Sequence, residues 1–280
     1  MRKGVKAIFV VALVFVFLGI ILTTAGVASG GSIKVVKEIN FGSTDYVDVD
    51  ETYTEEIESL NLELAAGTLT VKEGDSFRIE AKNIPERYYE FYVEDKTLHV
   101  DKKDHDWFFF DWFDWDSYDD TSITVYVPKG FEAKEMDLEV SAGTVTIDSI
   151  VAKNAEIKMN AGKVSGSNVT ISDSGKVKVN AGALELEDVN FHDTKIQQNA
   201  GAATLSGSFT GETKAECNAG SMTIKANGTE KEYNFQIESS AGSITLNGER
   251  YSNTKSEIDN NANNEFDVEC NAGSITISTK

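Results

Sequence analysis

The sequence predicts an all-β protein: a parallel β-solenoid with rungs of about 19 to 20 residues, preceded by one N-terminal transmembrane helix. Three features support this prediction: a charge-free apolar run near the N-terminus, an Ala-Gly motif at regular spacing, and apolar-polar alternation around each motif. We therefore divide the chain into an anchor over residues 1–28, a linker over 29–52 and an extracytoplasmic β-repeat domain over 53–280.

The first segment indicates the cellular compartment. Residues Ile8 to Ala28 carry no charge, and these 21 residues would span about 31 Å as a helix, the thickness of a bilayer core. A basic cluster of Arg2, Lys3 and Lys6 precedes the run, which places the N-terminus in the cytoplasm and the following domain outside the cell. We expect a single-pass protein of the cell membrane that contacts the bilayer through residues 8–28. A cleaved signal peptide is the alternative, because small residues end the run.

The repeat motif is an alanine followed by a glycine. The repeat glycines lie at positions 67, 143, 162, 182, 201, 220, 242 and 273. From 143 to 220 the successive spacings are 19, 20, 19 and 19 residues. A period of this regularity indicates stacked structural units, each forming one rung.

Alternation within each copy predicts strands. Leu138 and Val140 flank the charged Glu139 before the glycine, whereas Val145 and Ile147 are the apolar positions after it. The inward-facing parity therefore changes at Ala-Gly, which requires a corner that the backbone freedom of glycine permits. Each rung is predicted to contain two short strands that meet at this corner, with a polar turn and room for a third strand.

Polar residues recur at fixed positions of the rungs. One predicted ladder contains Asn160, Asn180, Asn199, Asn218 and Asn271, and a second contains Thr146, Thr204, Thr223, Thr245 and Thr276. Stacked amides can hydrogen-bond along the axis, and threonine suits an outer strand, so we interpret both ladders as structural. An antiparallel β-sandwich is the alternative fold, but it would not require the same corner residues in every unit.

The two cysteines occupy the same phase of their repeats. Cys217 and Cys270 each lie three residues before a repeat glycine, and the copy at Gly242 comes between them in sequence. Sequence order therefore predicts a separation of two rungs, about 9.6 Å, which exceeds the roughly 7 Å Cα limit for a disulfide. We expect free, buried thiols.

The order of these segments resembles a known family. A basic-flanked membrane segment, the opening copy ELAAGTLTV (63–71), the strand ITVYVPKGF (123–131) and serial NAG and SAG strands are similar to the putative-adhesin β-strand-repeat domain of membrane-anchored Gram-positive envelope proteins. The resemblance covers about residues 53–280 and implies membrane anchoring and a β-repeat fold. Some relatives accompany envelope-stress signalling systems. No catalytic residues are established for the family, so none are transferred to this chain.

An aromatic and acidic insertion at residues 101–120 interrupts the repeats. Its flanks, EDKTLHVDK and TSITVYVP, read as strands. The predicted partner-binding residues are Trp107, Phe108, Phe109, Phe110, Trp112, Phe113 and Trp115. Clustered aromatic side chains at a surface are typical of contact sites, whereas a solenoid also needs a cap over its first rung, so the insertion can be read as a contact loop or as an end cap.

Composition and charge narrow the classes of function. With 26 Lys and Arg against 46 Asp and Glu, the formal net charge is −20, which disfavours nucleic-acid binding. The three histidines are dispersed, so we predict no metal site and no cofactor. Weak calcium binding by the acidic runs at 45–51 and 111–120 is an alternative to solvated charge.

We therefore expect a non-enzymatic, membrane-anchored surface module for adhesion or envelope-stress-related interaction, with no catalytic residues. An envelope protein, a cationic peptide or a wall polymer are the expected partners. The alternative is a β-solenoid carbohydrate-active enzyme, a lyase or hydrolase acting outside the cell. Its candidate carboxylates are Asp148, Asp173, Glu185, Glu187, Asp188 and Asp193.

Overall fold

Residues 46–86, 89–103 and 121–280 are described by the structure, a computed structural model. Within these ranges the chain consists of strands and turns, with one 3-10 turn at Glu230–Glu232. The first eight strands are β1 (Tyr46–Thr52), β2 (Ser59–Leu64), β3 (Thr68–Gly74), β4 (Arg78–Pro85), β5 (Tyr89–Glu94), β6 (Thr97–Lys102), β7 (Ser122–Pro128) and β8 (Glu132–Asp148). The remaining strands are β9 (Val151–Ser167), β10 (Thr170–Ala226), β11 (Tyr233–Ser239), β12 (Ser243–Leu246), β13 (Glu249–Tyr251), β14 (Thr254–Ile258), β15 (Asn264–Cys270) and β16 (Ser274–Thr279).

The strands bury the residues that alternation predicts. In β8, Leu138 and Val140 are buried before the corner, and Val145 and Ile147 are buried after it. The same two-step pattern recurs in β9 and along β10. The predicted change of parity at Ala-Gly is therefore confirmed, and the inward side chains form one continuous apolar core.

The corner glycines adopt a backbone conformation that other residues rarely reach. Gly143, Gly162 and Gly182 have φ values of 134°, 118° and 140°. A Cβ atom on Gly182 would also collide with the carbonyl oxygen of Gly162 on the neighbouring rung. Glycine is thus required at this corner both for its φ value and for the close approach of successive rungs.

The rungs along β8, β9 and the first part of β10 have a second corner, which a third strand segment follows. Ser149, Asn168 and Asp188 occupy this second corner with φ values of 58°, 55° and 52°. After it, the Val151–Ala152 segment pairs in parallel with residues 170–171 of the next rung. The third short strand for which the repeat length left room is therefore present.

Successive rungs pair in parallel and in register. Gly143 lies opposite Gly162, which lies opposite Gly182, along the β8, β9 and β10 ladder. The fold is all-β and β-solenoid-like, and the sheet does not close on itself. We name the outer surface of the segments that precede the corner glycines the first face, and that of the segments that follow them the second face.

Antiparallel strands cover both ends of the stack. At the N-terminal end, β5 pairs with β6 on the first face, and β4 pairs with β7 and β1 on the second. At the C-terminal end, β14 pairs with β11 and β13 pairs with β12. Strand β1 lies within the stretch predicted as a linker and forms part of this sheet.

The order of the last rungs differs from their order in the sequence. Strands β15 and β16 lie between the rung of β10 that contains Gly220 and the rung formed by β11 and β12. Cys217 is therefore the direct lateral neighbour of Cys270, and the predicted separation of two rungs is wrong. Both cysteines are free and buried, as expected.

A tight hairpin explains the altered order. Asn247 and Gly248 have φ values of 47° and 91°, and Asn-Gly with two positive φ values is the preferred two-residue hairpin turn. The chain therefore reverses after β12, and β13 and β14 occupy the outer edge as antiparallel strands. The final parallel rung then enters between two rungs that precede it in sequence.

Aromatic packing in the core follows the same order. The ring centroids of Phe209 and Phe266 are 5.7 Å apart, and those of Phe266 and Phe235 are 5.8 Å apart. Phe266 thus lies between two rings that are closer to each other in sequence than either is to it. The described residues, 46–86, 89–103 and 121–280, belong to one compact unit.

In the described part of the chain, no helix has the length and apolar character needed to cross a bilayer. The predicted membrane segment at residues 8–28 lies outside the described residues.

Candidate interaction surface

The predicted partner-binding aromatic residues lie outside the described ranges. They fall within residues 104–120, so their positions relative to the stack are not described. The strands predicted on either side of them are confirmed as β6 and β7. Strand β6 pairs with β2 and β5 on the first face, whereas β7 pairs with β3 and β4 on the second.

A polar cluster surrounds the end of β6 on the first face. The rings of Tyr92 and His99 stack with centroids 4.6 Å apart, and the Tyr92 hydroxyl donates to Asp101 over 2.5 Å. This hydrogen bond to a carboxylate raises the pKa of Tyr92 to about 12. The Asn61 amide donates to the same carboxylate over 3.2 Å. The chain that leads into the aromatic insertion is therefore held by side chains of three strands.

The predicted asparagine ladder is present along the first face. Each amide nitrogen donates to the amide oxygen of the preceding rung: Asn180 to Asn160 at 2.8 Å, Asn199 to Asn180 at 2.7 Å, and Asn218 to Asn199 at 2.7 Å. Asn271 then donates to Asn218 over 2.9 Å, which again places the last rung next to that of Gly220. The ladder stabilises the rung register, in agreement with its structural interpretation.

The outward positions of the first face carry charged residues that form ion pairs within a rung and between neighbouring rungs. Glu156 contacts Lys158 at 2.9 Å and Lys176 at 2.6 Å. Glu216 contacts Lys195 at 2.9 Å and Lys214 at 3.5 Å. The hydrogen bond from Lys176 lowers the pKa of Glu156, so this carboxylate is charged at neutral pH.

A shallow depression of about 350 Å³ lies at the C-terminal end of the first face. It is lined by Lys214, Gln236, Ile237, Glu238, Lys255, Ser256, Glu257, Asp267 and Glu269. Two of its ion pairs are internal, Lys214 with Asp267 at 3.2 Å and Lys255 with Glu238 at 3.2 Å. Its charged groups thus partly neutralise one another.

The second face carries few charges. Along one row, Thr70 lies opposite Thr146, and Thr276 lies between Thr223 and Thr245. The predicted threonine ladder is therefore confirmed in these rungs, with Thr276 inserted out of sequence order. Lys163 and Glu185 form an ion pair of 2.5 Å that interrupts the hydroxyl-bearing rows.

Several carboxylates proposed for the enzyme alternative have local structural roles. Asp148 accepts a hydrogen bond from Ser167 at 2.7 Å, and Asp193 accepts one from the backbone N–H of Glu212 at 2.8 Å. Asp188 forms the second corner of its rung with a positive φ. Among the described residues, no three His, Cys, Asp or Glu side chains are grouped in a way that could hold a metal ion.

The acidic run at 45–51 is engaged by neighbouring groups in the described structure. Arg78 donates two hydrogen bonds of 2.7 Å to the two carboxylate oxygens of Asp50, which lowers the pKa of that carboxyl. Asp48 accepts the backbone N–H of Asn83 over 3.0 Å. These carboxylates hold β1 against β4. The second acidic run, 111–120, lies outside the described residues.

Sequence reasoning missed the uneven charge distribution of the first face. Lys158, Lys176, Lys178, Lys195 and Lys214 lie on outward positions of four successive rungs. The signal was available, because these residues alternate with the buried apolar positions at the repeat spacing. Alternation alone does not separate such a row of lysines from the ordinary polar side of a strand.

These features define a β-solenoid-like module whose outward rows are set by a repeating rung. The Toastrack DUF4097 family matches residues 57–278. Because this range covers most of the 280 residues, the chain belongs to that family, and its resemblance to the adhesin β-strand-repeat domain is confirmed. No curated protein matches the chain.

Several solved structures are similar to this chain at low identity. A putative cell adhesion protein from Clostridium sporogenes is 15% identical, with 84% of this chain and 100% of that one covered and a TM-score of 0.44. A putative adhesin from Bacteroides fragilis is 13% identical, covering 85% and 98%, with a TM-score of 0.34. A putative lipid binding protein from Parabacteroides distasonis is 15% identical, covering 84% and 98%, with a TM-score of 0.31.

Proposed function

We propose that this protein is a non-enzymatic surface module, anchored in the cell membrane through residues 8–28, that displays its solenoid outside the cell for contact with the envelope. The observation that carries the proposal is the structural role of the polar side chains in the described unit. They form ladders and ion pairs along two repeating outer faces, and several of the carboxylates considered for catalysis are engaged in corners and local hydrogen bonds.

The N-terminal sequence supports the topology. Its apolar run has the length of a bilayer span, a basic cluster of Arg2, Lys3 and Lys6 precedes it, and no comparable basic run follows at once. The seven aromatic residues between Trp107 and Trp115 supply a further contact element in this proposal, because they follow β6, whose end is held by the Tyr92, His99 and Asp101 cluster.

The topology is tested with a tag at the C-terminus of the full chain. We expect the protein to fractionate with membranes, and protease added to cells stripped of their wall to remove the tag. A tagged cytoplasmic protein in the same cells should stay intact, which controls for lysis. A tag that resists protease in unlysed cells stripped of their wall, or a soluble product that begins near Ser29, would contradict the anchored topology.

A further inference from the structure

The first face carries a positive band in a strongly acidic protein. On the four rungs that contain Gly162, Gly182, Gly201 and Gly220, we consider the outward positions six and four residues before the glycine. These eight positions hold Lys158, Lys176, Lys178, Lys195, Lys214, Glu156, Glu216 and Gln197. Five lysines against two glutamates leave a local excess of three positive charges, whereas the whole chain has a net charge of −20. We name these five lysines the lysine band.

The ion pairs of the face leave charge at the centre of the band. Each of the two glutamates is shared between two lysines. Lys178 makes no ion pair with any described residue, and its lateral neighbour on the preceding rung is Lys158. Like charges directly opposite each other on a sheet destabilise it. The centre of the band therefore presents ammonium groups that an external anion would neutralise.

The band is bounded by acidic rungs on both sides. On the preceding rung, the corresponding positions are Asp137 and Glu139, and on the rung that follows Gly220 in space they are Asp267 and Glu269. Four rungs span about 14 Å at the strand spacing. A short, flexible stretch of anionic chain fits this length, whereas a long rigid polyanion such as duplex DNA would also lie over the acidic rungs.

The chemistry of the band favours phosphate. Lysine binds phosphate as a point charge, whereas planar two-point recognition of a carboxylate depends on arginine. The four arginines of the chain are at positions 2, 78, 87 and 250, and none is in the band. Successive ammonium groups along one row lie about one rung apart, near 4.8 Å, so a chain with regularly repeated charges can contact several of them.

We propose that the lysine band binds a linear polyol phosphate, a flexible phosphodiester-linked polymer that carries no bases, through about three or four consecutive phosphates. This inference rests on the proposed function in one respect, since it names a ligand class for the envelope contact. A binding experiment with purified protein tests it independently of where the protein resides in the cell.

The probe is a synthetic poly(glycerol phosphate) of six repeats, titrated into the full-length protein in neutral detergent at low salt. We expect saturable binding that weakens steeply as salt increases. Lys178→Gln should weaken binding about fivefold and reduce the slope of log affinity against log salt by about one. Lys255→Gln is the matched control, because Lys255 is 81% exposed on the same face but outside the band, and its affinity should equal that of the unaltered protein.

The thermal midpoint of Lys178→Gln should remain at or slightly above that of the unaltered protein, because the substitution removes a like-charge contact. Equal losses of affinity for the polymer in Lys178→Gln and Lys255→Gln would overturn the proposal, and so would the absence of binding at low salt. Tighter binding of a polygalacturonate of similar charge, or of a single-stranded oligonucleotide, would overturn the assignment to this polymer class. A protein that proves to be intracellular but passes these tests would refute the proposed function and leave the phosphodiester site standing.

Discussion

At the level of single residues, the inward position three residues before each corner glycine changes character along the stack. It is apolar in the earlier rungs, as with Val179, and polar or sulfur-containing in the later ones, as with Gln198, Cys217 and Ser239. The polar members bond back to nearby carbonyls, Gln198 to Ala200 at 2.6 Å and Ser239 to Gly242 at 2.9 Å. The corner backbone thus supplies the acceptors that buried polar side chains need.

The buried thiol makes stability sensitive to alkaline pH. Burial, together with the neighbouring Cys270, raises the pKa of Cys217 above its ordinary value of 9.0. Between the ordinary and the raised value, the folded protein retains a proton that the unfolded chain has lost, so increasing pH favours unfolding. The stabilisation that the protonated Cys217 thiol contributes is fully present below pH 9. Above pH 9 the free energy of unfolding falls, by at most about 1.4 kcal/mol at pH 10.

We expect urea unfolding midpoints to fall between pH 8 and pH 10. Cys217→Val should reduce this fall, because valine has no group that titrates. Valine also occupies the same position in the rungs of Val140 and Val179, so we expect it to fit the core. Burial also raises the pKa of Tyr89 to about 12, so its contribution begins only above its ordinary value of 10.0. An identical pH dependence in the variant and the unaltered protein would show that the thiol does not titrate with unfolding.

At the level of the rung, the glycine corner is the most constrained element. Gly182 combines a φ of 140° with a neighbouring carbonyl oxygen where a Cβ would lie. Gly130 also has a positive φ, 77°, but no atom lies within 4 Å of its Cβ position. The two sites therefore separate the cost of backbone conformation from the cost of forcing rungs apart.

Gly130→Ala is expected to lower the free energy of unfolding by about 1 to 2 kcal/mol, the cost of the left-handed region alone. Gly182→Ala is expected to lower it by more than about 3 kcal/mol or to prevent folding, because the clash with Gly162 adds to the strained φ. Chemical unfolding of both variants, with circular dichroism as the probe, measures the difference. Similar losses of unfolding free energy at the two sites would show that the close approach of rungs at the corner adds no further cost.

The elements that the sequence reveals are those set by local chemistry. Alternation at Leu138, Val140, Val145 and Ile147 identifies both strands of a rung and their buried sides, because burial on one side imposes a period of two. The lysine band follows the same periodicity, but its importance depends on which rungs are neighbours and on what pairs with each charge. A single repeat specifies neither the neighbouring rungs nor the partner of each charge.

At the level of the whole molecule, the order of the rungs could not be read from the repeat alone. The spacings from Gly220 to Gly242 and from Gly242 to Gly273, 22 and 31 residues, depart from the central period and mark the place where the order changes. The Asn247-Gly248 pair marks the reversal itself, but a turn does not specify which gap the final strand enters. That choice depends on core contacts such as Phe266 between Phe209 and Phe235.

The inserted rung of β15 and β16 joins β10 to the rung of β11 and β12. Strand β15 pairs with β10 on one side and with β11 on the other, so the strand pairing between the rung of Gly220 and the rung of β11 and β12 runs through β15. The final rung must therefore be in place before the C-terminal end of the core is complete. Folding of this end depends on contacts between residues about 53 positions apart, such as Asn218 and Asn271, which is slower than local pairing.

A pair of cross-linking variants distinguishes the two possible orders. In the structure, Lys214 lies opposite Asp267, and Asp267 lies opposite Gln236. With the native cysteines replaced by alanine, Lys214→Cys/Asp267→Cys places two thiols on adjacent strands, about 4.8 Å apart at Cα, within disulfide range. Lys214→Cys/Gln236→Cys places them two strands apart, about 9.6 Å, which is beyond it. We expect oxidation by copper phenanthroline to link the first pair and leave the second unlinked, as read by peptide mass mapping. Sequential stacking would produce the opposite result, because the rungs of Gly220 and Gly242 would then be neighbours and only Lys214→Cys/Gln236→Cys would close.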